Sequence, residues 1–437
     1  MRTTGLTLLA AATWAAGSAV AAVPPDSAAL GRALDACVAP LVREGELSGQ
    51  LVVARDGRVL VERTWGAADR ERRAPMTPTT RMCIASITKP VNQVVALRLF
   101  REGRLAPSDT IGRFLPGFPH GRITVEQLMT HRAGVPHRVT SDAQEERPLT
   151  AADVTALAGK TPLMFEPGAR SVYSSAGYTV LARVLEVAAG RPWGELVRAT
   201  VLEPAHLEHT VPSAGLADPL PERAASYVPG ANGIEIAPRK DLGFLAGAGS
   251  MWSTARDLFR LARTVLEGGF GADARASLVR QGGLRWSGST NGFFSYLDHD
   301  SATGVTIAFV GNVHVGAPAL MRFALPKLAA GATVEPLEVP HPAFVKLPES
   351  VLRRYEGRYD VAGNTGLAVE ARDGILWAGE WPLRATSDTT FFSQRDYSNV
   401  GVARDSTGRL AGLNWMIGRQ SLLCPRVGDL EKKSAGQ

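Results

Sequence analysis

Ser86-Ile87-Thr88-Lys89-Pro90, with Val91, Val94, Val95 and Leu99 following at helical spacing and Gly103 closing the run, is the stretch on which the reading of this chain turns. Proline fits an α-helix only in its first turn, so Pro90 predicts a helix that starts near Ser86. Residues three apart at such a start share a face. This brings the Lys89 ammonium toward Ser86 Oγ, while the helix dipole favours negative charge developing beside the serine. The geometry suits a nucleophile, but the pattern is common. Lysine is rare (Lys89, Lys160, Lys240, Lys327, Lys346, Lys432 and Lys433). Even so, with serine near its usual ~7%, about 0.5 matches to Ser-x-x-Lys are expected in such a chain by chance. Taken alone, the stretch is better read as an N-cap serine followed by an exposed lysine, so its surroundings have to decide.

Upstream, Leu30, Leu34, Val38 and Leu41 recur at helical spacing within residues 28–45, which predicts an amphipathic helix. Two apolar runs, 51–54 and 59–61, then flank Asp56-Gly57, a pair suited to the positive φ angles of a two-residue hairpin turn. Downstream, residues 105–270 read as a loop-rich helical subdomain with helices over 179–189 and 253–266, the second capped by Ser253. Strand character returns at 292–297 and 305–310 around a turn at 300–304, followed by an apolar helix over 317–330. Early and late strands are expected to share one antiparallel sheet. Pro336, Pro340, Pro342 and Pro348 mark a linker. Beyond it, short strands at 367–371 and 375–378 flank Asp373-Gly374, and Tyr355, Tyr359, Trp377 and Trp415 are available to fill a core. The expected fold class is α+β: an antiparallel sheet flanked by helices, a helical subdomain, and a small C-terminal all-β domain. The corresponding boundaries are 1–21 leader, 22–335 main domain, 336–350 linker, 351–427 β domain and 428–437 polar tail.

Composition narrows the functional classes. The chain has 437 residues, 45% hydrophobic and 21% charged, as expected of a globular protein with room for a large core. Arg2, the apolar run 6–16 and Ala19-Val20-Ala21 read as a secretory signal cleaved near Ala21, giving an exported, periplasmic or secreted protein. The apolar run is shorter than the roughly 18 residues a membrane span requires, so stable membrane insertion is not expected. The net charge of +6 comes from scattered Arg and Lys without interleaved aromatics, which argues against a nucleic-acid partner. Three cysteines, Cys37, Cys83 and Cys424, allow one bridge at most, with Cys37 to Cys424 a possible pairing.

Beyond the Ser86 segment, the phrases Gly66-Ala67-Ala68-Asp69-Arg70 through Pro78, Ile123-Thr124-Val125-Glu126-Gln127-Leu128-Met129-Thr130-His131-Arg132-Ala133-Gly134 and Phe165-Glu166-Pro167-Gly168 carry a resemblance. From about residue 28 to 330 the chain resembles the serine β-lactamase and penicillin-binding protein superfamily, especially its class C and family VIII esterase branch. The resemblance implies a β-lactamase/DD-peptidase-like fold with Ser86 as the acylated nucleophile. A second motif of that superfamily, Tyr-x-Asn, corresponds here to Tyr173-Ser174-Ser175: the tyrosine is kept and Ser175 replaces the asparagine. The third, Lys-Thr-Gly, corresponds to Trp286-Ser287-Gly288, continuing as Ser289-Thr290-Asn291-Gly292. Trp286 replaces the lysine, as in β-lactamase-like esterases. Loss of that cation weakens recognition of a substrate carboxylate, so esters of less charged acids become the expected substrates.

The resemblance implies Ser86, Lys89 and Tyr173 as the catalytic group. It also implies the backbone N–H groups of Ser86 and Ser289 as the oxyanion site, with Trp286, Gly288 and Ser175 around the substrate. Either Lys89 or Tyr173 is able to take the Ser86 proton, and the two are expected to act together. The expected activity is an esterase or amidase working through an acyl-enzyme. A β-lactamase or D-Ala peptide-processing enzyme, and a non-catalytic penicillin-binding-like sensor, stand as alternatives. There is no Gly-x-Ser-x-Gly elbow and no His-Glu-x-x-His zinc motif. Gly159-Lys160-Thr161 lacks the leading glycine of a P-loop, and His206 and His209 lack companion ligands and are expected at the surface. No metal or cofactor is called for, and the expected partner is a small ester, amide or peptide.

Overall fold

The computed structural model describes residues 26–430 apart from 214, 217, 362, 363 and 419. The expected leader, 1–21, and the 431–437 part of the expected tail lie outside the described residues.

The hairpin around Asp56-Gly57 forms strands β1 (Gly49–Arg55) and β2 (Arg58–Trp65), and three later strands join them: β3 (Gly283–Thr290), β4 (Phe293–Asp300) and β5 (Val305–Gly311). The sheet is antiparallel throughout, in the order β2-β1-β5-β4-β3. Side chains alternate between its faces. Val52, Ala54, Leu297, Ala308 and Val310 pack into a core shared with helices α2 (Thr88–Arg101), α3 (Ser175–Ala189) and α4 (Ala255–Leu266). Leu51, Val53, Tyr296, Ile307 and Phe309 pack on the other side against α1 (Ser27–Arg43) and α5 (Ala317–Ala329). Burial on both faces explains why β5 is continuously apolar from Ile307 to Val310 rather than alternating. The outermost strand, β3, keeps one edge open.

Three local expectations need correction. The helix expected to be capped by Ser253 is capped by Thr254, whose side chain accepts the Asp257 N–H; Ser253 lies in a two-residue strand paired with Met82. The helix expected over 179–189 begins at Ser175, because Ser174 Oγ caps it by accepting Gly177 N–H at 2.8 Å. All three cysteines are free and buried: Cys37 lies on the core-facing side of α1 and Cys424 in the core of the C-terminal domain, so no bridge joins them.

Residues 332–348 carry no regular structure and run along α1, where Leu337 N–H donates to Cys37 O at 2.8 Å. The C-terminal strands β6 (Gly357–Val361), β7 (Asn364–Arg372), β8 (Ile375–Ala378), β9 (Trp381–Ala385), β10 (Thr390–Ser393), β11 (Ser398–Arg404), β12 (Leu410–Ile417) and β13 (Gln420–Gly428) close into a barrel. Its interior holds Tyr355, Tyr359, Val369, Leu376, Leu383, Phe391, Val400 and Leu413. Trp377, expected in this core, alternates with buried Leu376 and Ala378 and so lies on the outer face under the Arg372 guanidinium. The barrel docks on the main domain through the 394–397 turn. There Tyr397 OH and Gln394 Nε2 hydrogen-bond the buried Glu46 carboxylate, and Gly316 N–H donates to Gln394 O.

Among the described residues no helix is long and apolar enough to cross a membrane.

Candidate active site

Ser86 lies in a short 3-10 turn, Ala85–Ile87, that runs directly into α2. The residue before it, Ala85, is held at φ 46°, a left-handed conformation that is costly for a residue with a Cβ and that persists only where its surroundings enforce it. Strand β3 supplies that enforcement. It passes so close to the turn that a Cβ on Gly288 would clash with Ile84 O and lie 2.7 Å from Ser86 N. Ser295 Oγ, on the neighbouring β4, donates to Ile84 O at 2.9 Å. Glycine is therefore required at 288 for the edge strand to reach the nucleophile.

Lys89, one turn into α2, is 5% exposed, and its Nζ donates to three acceptors: Ser86 Oγ at 3.2 Å, Ser175 Oγ at 3.3 Å and Ala248 O at 2.8 Å. Three acceptors match the three N–H bonds of an ammonium. Tyr173, immediately before the Ser174 cap, places its hydroxyl 2.7 Å from Ser86 Oγ, and Lys89 Nζ lies 4.7 Å from the centre of its ring. Ser86 Oγ thus contacts both proton-transfer candidates.

On the opposite wall, Asn291 and Gly292 (φ 40° and 83°) make the two-residue turn between β3 and β4. In such a hairpin the closing pair, Thr290 with Phe293, is the hydrogen-bonded one. Alternation then makes Ser289–Phe294 a non-hydrogen-bonded pair whose Ser289 N–H points away from β4, over the open edge. The Ser86 amide belongs to the first turn of its helix, where no intrahelical acceptor exists. These two donors suit an oxyanion. Trp286, half-buried, packs on the main core and turns toward the same space.

All seven residues singled out from the sequence (Ser86, Lys89, Tyr173, Ser175, Trp286, Gly288 and Ser289) line one cleft of about 810 Å³. The sequence reading missed several other groups. His131 and His137 flank the Tyr173 ring at 4.6 and 5.5 Å between centroids, and their Nδ1 atoms accept the N–H groups of Ser174 and Ser175. Desolvation by the cleft walls, reinforced by the nearby Lys89 charge, pushes His131 down to about 3 and His137, one edge of which stays open to the cleft, to about 4, so both imidazoles are neutral near pH 7. His131 lay inside a quoted motif, whereas nothing local marks His137. At the far end of the cleft Lys240 contacts Asp142, Glu145 and, at 2.6 Å, Glu380, the single barrel residue along the cleft wall among those described. Of the two histidines expected at the surface, His206 is exposed and His209 half-buried. Among the described residues no group of three or more His, Cys, Asp or Glu side chains is arranged to hold a metal ion.

The Beta-lactamase family description matches residues 34–330, which includes all of these main-domain groups. The chain belongs to the Beta-lactamase family. Among its relatives, Esterase EstB of Burkholderia gladioli is 32% identical over 220 residues, covering 46% of this chain and 55% of the relative. A putative penicillin-binding protein PbpX of Bacillus subtilis (strain 168) is 24% identical over 238 residues, covering 52% of this chain and 57% of the relative. The chain therefore spans little more than half the length of either curated relative. Among solved structures, SurE shares the fold with a TM-score of 0.59 at 23% identity; the match covers 92% of this chain and 99% of SurE, so the likeness extends into the barrel.

Proposed function

We propose that this Beta-lactamase family member is a serine hydrolase that cleaves small esters, and amides more slowly, through an acyl-enzyme on Ser86. The observation that carries this reading is the convergence on Ser86 Oγ of Tyr173 OH at 2.7 Å and Lys89 Nζ at 3.2 Å inside an open cleft. Ser86 Oγ attacks the ester carbon as its proton passes to the Tyr173 oxygen, which acts in its phenolate form and becomes the neutral phenol. With its three donors already engaged, the Lys89 ammonium stabilises the negative charge shared by the two oxygens. The carbonyl oxygen becomes an oxyanion between the Ser86 and Ser289 N–H groups. The C–O bond to the leaving alcohol then breaks, and the alcohol takes the proton held by Tyr173. Water repeats the sequence on the acyl-enzyme and releases the acid.

Trp286 presents an indole where the resemblance places a lysine, which favours uncharged acyl groups over the carboxylate of a β-lactam. The similarity to a protein named as an esterase supports the same preference. Hydrolysis of p-nitrophenyl acetate and butyrate by the wild type, with Ser86→Ala at background, is the expected result; equal rates for the two proteins would sink the proposal. Export of the mature chain belongs to the same reading, and N-terminal sequencing of the protein recovered outside the cytoplasm should begin at Ala22.

A further inference from the structure

The wall of the cleft built from residues 129–145 and 173–179 is rich in polar groups, yet most of its donors are committed to neighbours or enclosed. Thr130 Oγ1 donates to Glu126 O, Tyr178 OH to Met129 O and Thr140 Oγ1 to Glu145, each at 2.7 Å. Arg138 is taken up by Glu145 and Asp142. Ser175 is almost fully buried with its oxygen on Lys89, and the His131 ring is enclosed between Tyr173 and Tyr178 at 4.6 and 4.9 Å.

His137 differs. It is exposed to the cleft, it lies one tyrosine ring away from Ser86, and its Nδ1 accepts Ser175 N–H at 3.4 Å. In a neutral imidazole the proton then sits on Nε2.

We propose that His137 Nε2–H is the substrate-recognition donor of this wall, and that it selects acyl donors bearing a second carbonyl oxygen close to the scissile one, as N-acyl amino acid esters and amides do. A neutral acceptor fits better than a carboxylate. The nearby corner of the cleft gathers Asp142, Glu145 and Glu380 around Arg138 and Lys240, three negative charges against two positive. Such a corner disfavours an anionic ligand. A donor held by a ring that is tethered at Nδ1 and packed on Tyr173 is also pre-oriented, so little is lost in ordering it on binding.

The proposal rests on the hydrolase reading, and its test separates the two. kcat/KM is measured for the p-nitrophenyl esters of N-acetylglycine and of butyric acid with wild type, His137→Phe (a ring with no donor) and His137→Gln (a donor without the ring). Whatever the change in absolute rate, the ratio of the two esters should fall about tenfold in His137→Phe, the order expected for one hydrogen bond, and recover in His137→Gln. A ratio that stays within twofold of wild type in His137→Phe, or that falls alike in both variants, overturns the proposal. If neither ester is turned over, the hydrolase reading fails on its own. Binding of N-acetylglycinamide to Ser86→Ala and to Ser86→Ala/His137→Phe, followed by NMR titration, then decides: weaker binding by the double variant supports the donor role, and equal binding overturns it.

Discussion

The two halves of the molecule handle strand edges in opposite ways. The main-domain sheet stops at β3 and leaves that edge unpaired, whereas the eight strands of the barrel leave none. The open edge is where the candidate site lies. Gly288, Ser289 and Trp286 lie on it, and the strained Ala85, the buried Lys89 and the two neutral histidines face it across the cleft. Such groups lower stability in exchange for function. The barrel closes its hydrogen-bond ladder and fills its centre with apolar and aromatic side chains. Its contribution to the cleft is Glu380, at the turn between β8 and β9. The edge left unpaired thus concentrates both the candidate site and the backbone strain.

The contrast is most exposed at the nucleophile. Tyr173→Phe and Lys89→Met should each lower kcat for p-nitrophenyl butyrate by about 10²–10⁴-fold, the span typical of a lost proton-transfer group. Steady-state kinetics on folded protein will check this, and a loss below tenfold in both would remove the proposed roles.

A paired glycine experiment comes next. Gly288→Ala should cut kcat by roughly 10–100-fold by pushing β3 off the Ser86 turn, a misplacement of the kind that costs about 10² in rate. Gly401→Ala in the barrel strand β11, where a new Cβ meets nothing within 4 Å, should leave kcat and Tm near wild type. Equal effects from the two would break the contrast.

Acid should separate the halves by stability. All eight histidines precede residue 351, and burial holds His131 and His314 well below their ordinary range, with the partly enclosed His137 lowered as well. The unfolded chain takes up protons at these sites from about pH 6.5 downward, while the native main domain does not until about pH 4 and below. Their contribution is intact above pH 6.5 and is lost as the pH falls toward 4. Calorimetry should show a main-domain Tm lower by about 5 °C or more at pH 4.5 than at pH 7, with a smaller shift for any separate barrel transition. A small effect is expected at the shared boundary: Glu380→Gln loosens the Lys240 contact and should change KM by no more than about threefold with kcat held, since a partly exposed ion pair contributes about 0–1 kcal/mol.

How much of this was legible in the sequence follows the range of the interaction. The Asp56-Gly57 hairpin and the Pro90 helix start are local and were readable. The choice between Ser253 and Thr254 as a cap was not, because adjacent hydroxyl residues cap equally well and the pairing of Ser253 with Met82, far away in sequence, decides which is free. The start of α3 was hidden because Ser175, Ala176 and Gly177 show no apolar periodicity. A small β domain could be read from short strands and turns, but closure depends on Arg358 meeting Gly428, a pairing no local signal encodes. At the site, the seven residues were reachable through motif resemblance. His137 and Glu380 were not, since each enters the cleft only through tertiary packing.

The three thiols carry a last consequence. Each is enclosed, and burial raises all of them, Cys83 beside the Ser86 turn to about 12 and Cys424 to about 11, which leaves none as the thiolate that begins disulfide exchange. Disulfide exchange thus has no ready starting point in the folded chain, and the three cysteines ask for no covalent partner as it assembles.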